Sequence, residues 1–296
     1  MDDSLSQLLR SFAEGLDRWH GFCDVCLHGQ GPAGVVKGGV SQAEAERRSQ
    51  ADKWRAIWDS NPLDSTRFVG LSRLEVATSH VQGLSLLLRG GCLGSPVAAV
   101  LRACAETSAR ALWVLDRDAP PDEAIERALT EQLHDLASMN AASIPREWAV
   151  SKIIAFAEAH DWRVCKSSKG RVLGIGEARP NTRVLLERLS LSGASGFQPL
   201  IGTFQQRGNA AVHGNFLAWT ELVLTTGGPS FKGVALRSTV AHLVFALDLH
   251  RRAMDAWNST IEWSPVDLMR ESTKAAFAGV LNPYLDLVIA QERANA

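Results

Sequence analysis

Three polar side chains in one short stretch could do chemistry on a phosphate group. The stretch Arg207-Gly-Asn-Ala-Ala-Val-His-Gly214 places Asn209 and His213 four residues apart. On a helix this spacing stacks the amide and the imidazole on one face, with Arg207 about half a turn before Asn209. An arginine, an amide and an imidazole on one helical turn could bind or cut a phosphodiester. They could also be a polar patch that locks a helix bundle.

Two helices must position the candidate residues. The first is predicted over residues 199–224 and holds the stretch above. The second is predicted over residues 96–116, because Ser95-Pro96 supplies an N-cap followed by proline at the first helical position, and apolar residues then recur with the 3.6-residue period. Small residues on its opposite side would allow another helix to approach, so we expect a central helix. Its charged side chains include Arg102, Glu106 and Arg110.

Capping signals and apolar periodicity predict helices along most of the chain. The remaining predicted helices cover residues 65–89, 121–141, 145–160, 182–191, 235–258 and 266–291, the last interrupted at Asn282-Pro283. Evidence for strands is confined to residues 162–176, where a turn at Lys166-Ser-Ser-Lys-Gly170 would join two short strands. The predicted fold class is therefore all-α, a helical bundle with a small β-hairpin insertion near 162–176.

The predicted domain organisation is simple. Residues 49–296 are expected to form one helical domain. Residues 1–48 are expected to form an N-terminal appendage, which includes a Gly-rich, mobile loop from Gly29 to Ser41.

The two helices with the candidate residues resemble the signatures of the HEPN superfamily (higher eukaryote and prokaryote nucleotide-binding). The stretch from Arg207 to Gly214 is similar to its Arg-x(4–6)-His signature. Arg102 and Glu106 match its Arg-x-x-x-Glu pair, which precedes the histidine signature along the chain. The resemblance implies a helical bundle that often dimerises and in which the two signatures are neighbours.

In active HEPN proteins, the arginine and the histidine of two subunits face a shared cleft and cut RNA without a metal ion. Carried over, the resemblance implies that Arg207 holds the phosphate, that His213 acts as general base or acid, and that Asn209 orients either group, with Arg102 and Glu106 in support. It implies a homodimeric HEPN-like module of a stress, defence or toxin-type system. An active site would make it a metal-independent endoribonuclease, with RNA and an antitoxin or other protein as candidate partners.

A non-catalytic interpretation uses the same residues. Asn209 and His213 could be buried polar groups that satisfy each other or Glu106, and such networks can specify the register of a bundle. Arg102, Glu106 and Arg110 would then form a ladder of ion pairs worth only tenths of a kcal/mol each. The alternative function is a non-catalytic interaction or small-molecule-binding bundle in which these residues are structural.

A second constellation lies near the N-terminus, where four potential zinc ligands occur within nine residues. Thiolate and imidazole groups suit Zn²⁺, but a second cysteine pair at the usual spacing does not follow, and four ligands from so short a stretch are crowded. We therefore expect no metal site, and a zinc-stabilised regulator is the less favoured alternative. The four residues are His20, Cys23, Cys26 and His28.

Bulk composition narrows the function further. The chain has 296 residues, of which 46% are hydrophobic and 21% charged, values typical of a globular protein rather than a disordered one. The net charge of −1 means that binding to nucleic acid would need a local basic cleft, such as one between subunits. From the acidic first residues and the short apolar runs we expect neither a secretory signal nor a membrane span, and the sequence contains none of the common nucleotide-binding motifs. We expect a cytoplasmic protein with no cofactor and no membrane contact.

Overall fold

A computed structural model describes residues 3–28, 42–51, 61–138, 146–191, 201, 204, 229–260, 271–275 and 277–285. Its helices are α1 (Asp3–His28), α2 (Gln42–Ala51), α3 (Leu63–Arg89), α4 (Ser95–Val114), α5 (Pro121–Ser138), α6 (Arg146–Ala159), α7 (Thr182–Leu191) and α8 (Pro229–Asn258). Its strands are β1 (Val164–Lys166) and β2 (Val172–Ile175). Residues 271–275 and 277–285 are also helical. The predicted all-α fold with a small β-hairpin is confirmed.

Helix α4 packs against both α3 and α8, as expected of a central helix. It begins directly after Gly94, whose φ of 81° lies in the left-handed region that glycine adopts without penalty. Pro96 then occupies the first turn, where the missing N–H would have no intrahelical partner. The predicted range of 96–116 agrees with the observed helix to within two residues at each end.

Helix α1 is part of the bundle core. Its apolar face buries Leu9, Phe12, Leu16 and Trp19 in the same cluster as apolar side chains of α3, α4 and α8. Each such side chain contributes about 1.5–3 kcal/mol when it leaves water. Residues 1–48 were predicted to form an appendage, but this packing gives residues 3–28 a shared core with the helical domain.

One neutral polar network crosses this core. The ring of His250 on α8 is buried, and its Nδ1 accepts a hydrogen bond of 2.9 Å from the indole N–H of Trp19 on α1. The proton of the neutral ring therefore lies on Nε2, which is 3.1 Å from the hydroxyl oxygen of Thr78 on α3. Burial, with a smaller effect of His20, lowers the pKa of His250 to about 3. We call these three residues the core histidine network.

The hairpin pairs β1 with β2 in antiparallel register, with Val164 opposite Ile175. It packs against α5, where the hydroxyl of Thr130 accepts a hydrogen bond of 2.9 Å from the backbone N–H of Ile175. A side chain at Gly174 would collide with the carbonyl oxygen of Glu177 and press on Thr130. The close approach of Glu177 after β2, and to a lesser degree the packing on Thr130 of α5, therefore requires glycine at this position.

Other predictions differ from the structure or fall beyond it. Residues 277–285 are helical through Pro283, so the predicted interruption does not end this helix. Val280 and Tyr284 of this helix pack on the core that α1, α3, α4 and α8 share, and such packing can outweigh one missing backbone hydrogen bond.

The loop from Gly29 to Ser41 lies outside the described residues, as does most of 199–224. In the described part of the chain, no helix combines the length and apolarity that a membrane span requires.

Candidate functional site

The first predicted pair lies together on α4. Arg102 Nε donates a hydrogen bond of 2.6 Å to Glu106 Oε1, one helical turn later. The two side chains are 22% and 27% exposed, so water screens much of their attraction. The structure therefore brings this pair together on a partly exposed face of the central helix.

The other predicted catalytic residues, Arg207, Asn209 and His213, lie outside the described residues. The approach of these three side chains to Arg102 and Glu106 stays a prediction.

Arg110 makes its hydrogen bonds outside the ladder of ion pairs that the non-catalytic interpretation expects with Arg102 and Glu106. Its guanidinium is buried, and it donates a 2.8 Å hydrogen bond from Nη2 to the carbonyl oxygen of Pro180. Its Nη1 lies 3.4 Å from Oε1 of Glu131 on α5. Burial lowers the pKa of Arg110 to about 10, against the opposing charge of Glu131. Arg110 thus points from the central helix toward a second charged cluster.

Glu131 is the centre of this cluster, and its side chain is fully buried. Arg179 donates two hydrogen bonds to it, one of 2.7 Å from Nε to Oε1 and one of 3.0 Å from Nη2 to Oε2. Arg73 on α3 adds a third contact of 3.1 Å to Oε2. Burial by itself would raise the pKa of Glu131. The hydrogen bonds and charge of Arg179, together with the charges of Arg110 and Arg73, outweigh burial and hold that pKa below its usual value.

Asp135 completes the cluster one turn further along α5. Its two carboxylate oxygens lie 2.6 and 2.7 Å from Nη2 of Arg73. Three guanidinium groups therefore meet two carboxylates, which leaves one positive charge in excess. We call Arg73, Arg110, Glu131, Asp135 and Arg179 the Glu131 cluster.

A groove of about 330 Å³ opens beside the Glu131 cluster, and Arg179 belongs to both. It runs between α5, the start of β2 and the segment before α7. Its polar lining consists of two arginines, a histidine and an asparagine, with no carboxylate. The lining residues are Leu133, His134, Ala137, Arg171, Val172, Leu173, Ala178, Arg179, Pro180 and Asn181.

Local structure fixes the walls of the groove. Asn181 caps α7, since its side-chain oxygen accepts a 2.9 Å hydrogen bond from the backbone N–H of Val184. The backbone N–H of Arg179 donates to the carbonyl oxygen of Leu173 at 3.1 Å, which ties the segment to β2. Burial, with the positive charge of Arg179, lowers the pKa of His134 and favours its neutral form near pH 7. The result is a groove with one cationic group, Arg179, held in place by Glu131 and a second, Arg171, that is exposed.

The N-terminal cysteines and histidines do not converge. Cys23 and Cys26 are buried in the core, while His28 is exposed and lies 3.5 Å from Asp24. Burial raises the pKa of Cys26 to about 12, which disfavours the thiolate that binds metals. Among the described residues, no group of three or more His, Cys, Asp or Glu side chains could hold a metal ion. The proposed ligand set of His20, Cys23, Cys26 and His28 is therefore not assembled.

Comparison of the chain with protein-family models, with curated proteins and with solved structures finds no match.

Glu131 was not among the predicted site residues, although a local signal marks it. The apolar face of α5 buries Ala124, Ala128 and Leu133, and Glu131 stands on that face at helical spacing from Ala124 and Ala128. A carboxylate on an apolar helix face must find cationic partners. Those partners, Arg73 and Arg179, are 58 and 48 residues away, so the sequence does not identify them.

Proposed function

We propose that the protein is a helical bundle that binds a small anionic molecule in the groove. The observation that carries this proposal is the position of Arg179, whose guanidinium is held by the buried Glu131 and also lines the groove. A binding group that is fixed before the ligand arrives loses little conformational entropy on binding. Anion binding belongs to the small-molecule-binding class that the sequence left as an alternative.

The charges around the groove support an anion over a cation. Arg171 and Arg179 line it, and no carboxylate does. The two nearby carboxylates, Glu131 and Asp135, are engaged by arginines of the Glu131 cluster. Charge-assisted hydrogen bonds from guanidinium groups to oxyanions are about twice as strong as those between neutral groups.

Arg171→Gln tests the proposal without disturbing the buried cluster, because Arg171 is exposed. Isothermal titration calorimetry with phenyl phosphate should show about fivefold weaker binding than to the wild type, the effect of losing about 1 kcal/mol from one exposed charge contact. Arg89→Gln is the matched control, since Arg89 is exposed at the end of α3 and does not line the groove. Equal affinities for all three proteins, or no binding to any, would contradict the proposal.

The second candidate function is the HEPN-like one, a homodimeric module of a stress, defence or toxin-type system that cuts RNA without a metal. The observation that favours it is the Arg102–Glu106 pair, which lies on one face of a helix as the Arg-x-x-x-Glu signature requires. In this proposal Arg207 holds the phosphate, and His213 moves the proton, oriented by Asn209.

His213→Ala tests the second candidate. If His213 is catalytic, this variant should lose RNA cleavage while its Tm stays near that of the wild type. His28→Ala is the control, because His28 is exposed on α1, and it should leave any cleavage unchanged. Cleavage that persists in His213→Ala, or a large fall in Tm without cleavage to lose, would support a structural histidine instead.

A further inference from the structure

We infer that the ligand of the groove is an amphipathic oxyanion, a molecule with a small apolar body and a terminal phosphate or carboxylate group. This inference rests on the proposed function and adds the chemical class of the ligand. It follows from three features, which are the N–H groups of Arg179 that Glu131 does not take, the apolar residues of the groove lining and the volume of the groove.

The head group would bind the outer edge of Arg179. A guanidinium carries five N–H groups, and Glu131 takes one from Nε and one from Nη2. Three N–H groups remain, two on Nη1 and one on Nη2, and this edge has the geometry that grips two oxygens of one carboxylate or phosphate. Glu131 thus fixes the plane of the guanidinium and leaves its outer edge for the ligand.

The apolar body would lie against the rest of the lining. Leu133, Val172, Leu173 and Ala178 are among the six apolar residues that line the groove. Leu173 is 42% exposed on β2, so its side chain is accessible to a ligand in the groove. A mainly apolar lining with a small number of fixed polar groups is typical of sites for small organic ligands.

The volume agrees with a ligand of this kind. A cavity of about 150 Å³ holds one benzene molecule, so about 330 Å³ accommodates an aromatic ring with its head group. An inorganic phosphate ion would leave most of this space to water. The groove also lies near the lower end of the range for ligand pockets, about 300–1,000 Å³, which points to a compact ligand.

Titration calorimetry on the full chain with four probes tests the inference. The probes are phenyl phosphate, benzoate, inorganic phosphate and benzyl alcohol, which separate the head group from the body. We expect phenyl phosphate or benzoate to bind at least tenfold more tightly than both inorganic phosphate and benzyl alcohol. The better of the two oxyanions identifies the head group.

Two leucine variants show where the body lies. Leu173→Ala should weaken binding of the preferred aromatic anion about fivefold, the effect of removing about 40 Å² of apolar contact, and should leave inorganic phosphate binding unchanged. Leu86→Ala is the matched control, because Leu86 is 63% exposed on α3 and does not line the groove. It should change neither affinity.

The outcomes separate this inference from the proposed function. If inorganic phosphate binds as tightly as the aromatic anions, and Arg171→Gln weakens both, the groove is an anion site and the amphipathic ligand class is wrong. An unchanged affinity of Leu173→Ala for the aromatic anion overturns the inference in the same way. If no anion binds to the wild type, the proposed function fails and the inference fails with it.

Discussion

Two buried polar constellations lie in different parts of this bundle, and their polar groups are paired in different ways. The core histidine network joins neutral groups, with both ring nitrogens of His250 paired to Trp19 and Thr78. The Glu131 cluster joins full charges, and one of its arginines, Arg179, also lines a groove. The first has no ring nitrogen left to offer a ligand. The second retains N–H groups and one positive charge in excess.

The difference indicates where function can be sought in a bundle of this kind. A buried histidine attracts attention in a sequence, yet burial lowers the pKa of His250 so far that the ring stays neutral and sealed in the core. A buried glutamate is less conspicuous, but it can position arginines for a ligand. Catalytic and binding groups need both fixed orientation and access, and the Glu131 cluster combines an arginine held by a buried carboxylate with a groove among the described residues.

The largest expected effect comes from breaking the charged constellation. Glu131→Gln removes the carboxylate and leaves the buried guanidinium of Arg110 without its main counter-charge. Loss of one partner from a buried ion pair costs about 3–5 kcal/mol. Urea unfolding should show a loss of this size in the free energy of unfolding.

The control for this variant is Glu187→Gln. Glu187 pairs with Arg183 on the exposed face of α7, so its loss should change stability by less than about 0.5 kcal/mol. Equal effects of the two substitutions would mean that burial gives the Glu131 cluster no special role in stability.

A smaller loss is expected when the neutral constellation is broken. His250→Leu keeps a similar side-chain volume but removes the hydrogen-bond partner of the indole N–H of Trp19 and of the hydroxyl of Thr78. Unsatisfied buried polar groups cost about 1–3 kcal/mol, so urea unfolding should show a loss of about 2 kcal/mol. His28→Leu on the exposed end of α1 is the control. A greater loss for His250→Leu than for Glu131→Gln would reverse the proposed order of the two constellations.

The two constellations should also respond to different pH ranges. The pKa of His250 is about 3 in the folded protein and about 6.5 in the unfolded chain, so the unfolded chain binds a proton first. Its contribution to stability is complete above pH 6.5 and is lost as the pH falls toward 3, at about 1.4 kcal/mol per pH unit. Glu131, whose pKa is lowered in the folded protein, makes stability depend on pH only below about 4.3, the pKa of a glutamate in the unfolded chain.

Urea unfolding at pH 7 and pH 5 isolates the histidine. Between these values the wild type should lose about 2 kcal/mol more than His250→Leu, because other groups titrate alike in both proteins. Glu131→Gln should lose as much free energy of unfolding between pH 7 and pH 5 as the wild type does. If the wild type and His250→Leu change equally, His250 is not the buried neutral histidine described above.

The sequence predicted elements whose signals are local. Ser95-Pro96 and the 3.6-residue period located α4, and a glycine-containing turn located the hairpin. Helix α1 was not predicted, and an amphipathic pattern would have shown only that a helix has an apolar face, not what covers it. The N-terminal residues were therefore separated from a core to which they contribute Phe12 and Leu16.

The candidate site shows the same limit more strongly. Spacing on one helix correctly paired Arg102 with Glu106, since residues four apart share a face. The same spacing suggested Arg110 as a third member of the ladder, but its partners lie on α5 and before α7. Long-range partners decide the role of a buried charge, and one sequence does not give them.

The smallest expected effect sharpens the contrast between local and long-range pairs. Glu106→Gln breaks a partly exposed i, i+4 pair on the same helix that carries Arg110. Such a pair contributes about 0.3–0.5 kcal/mol, so urea unfolding should show a loss near the limit of detection and close to that of Glu187→Gln. A loss above about 1.5 kcal/mol would show that Glu106 holds a wider network. That result would strengthen the interpretation in which Asn209 or His213 packs against this carboxylate.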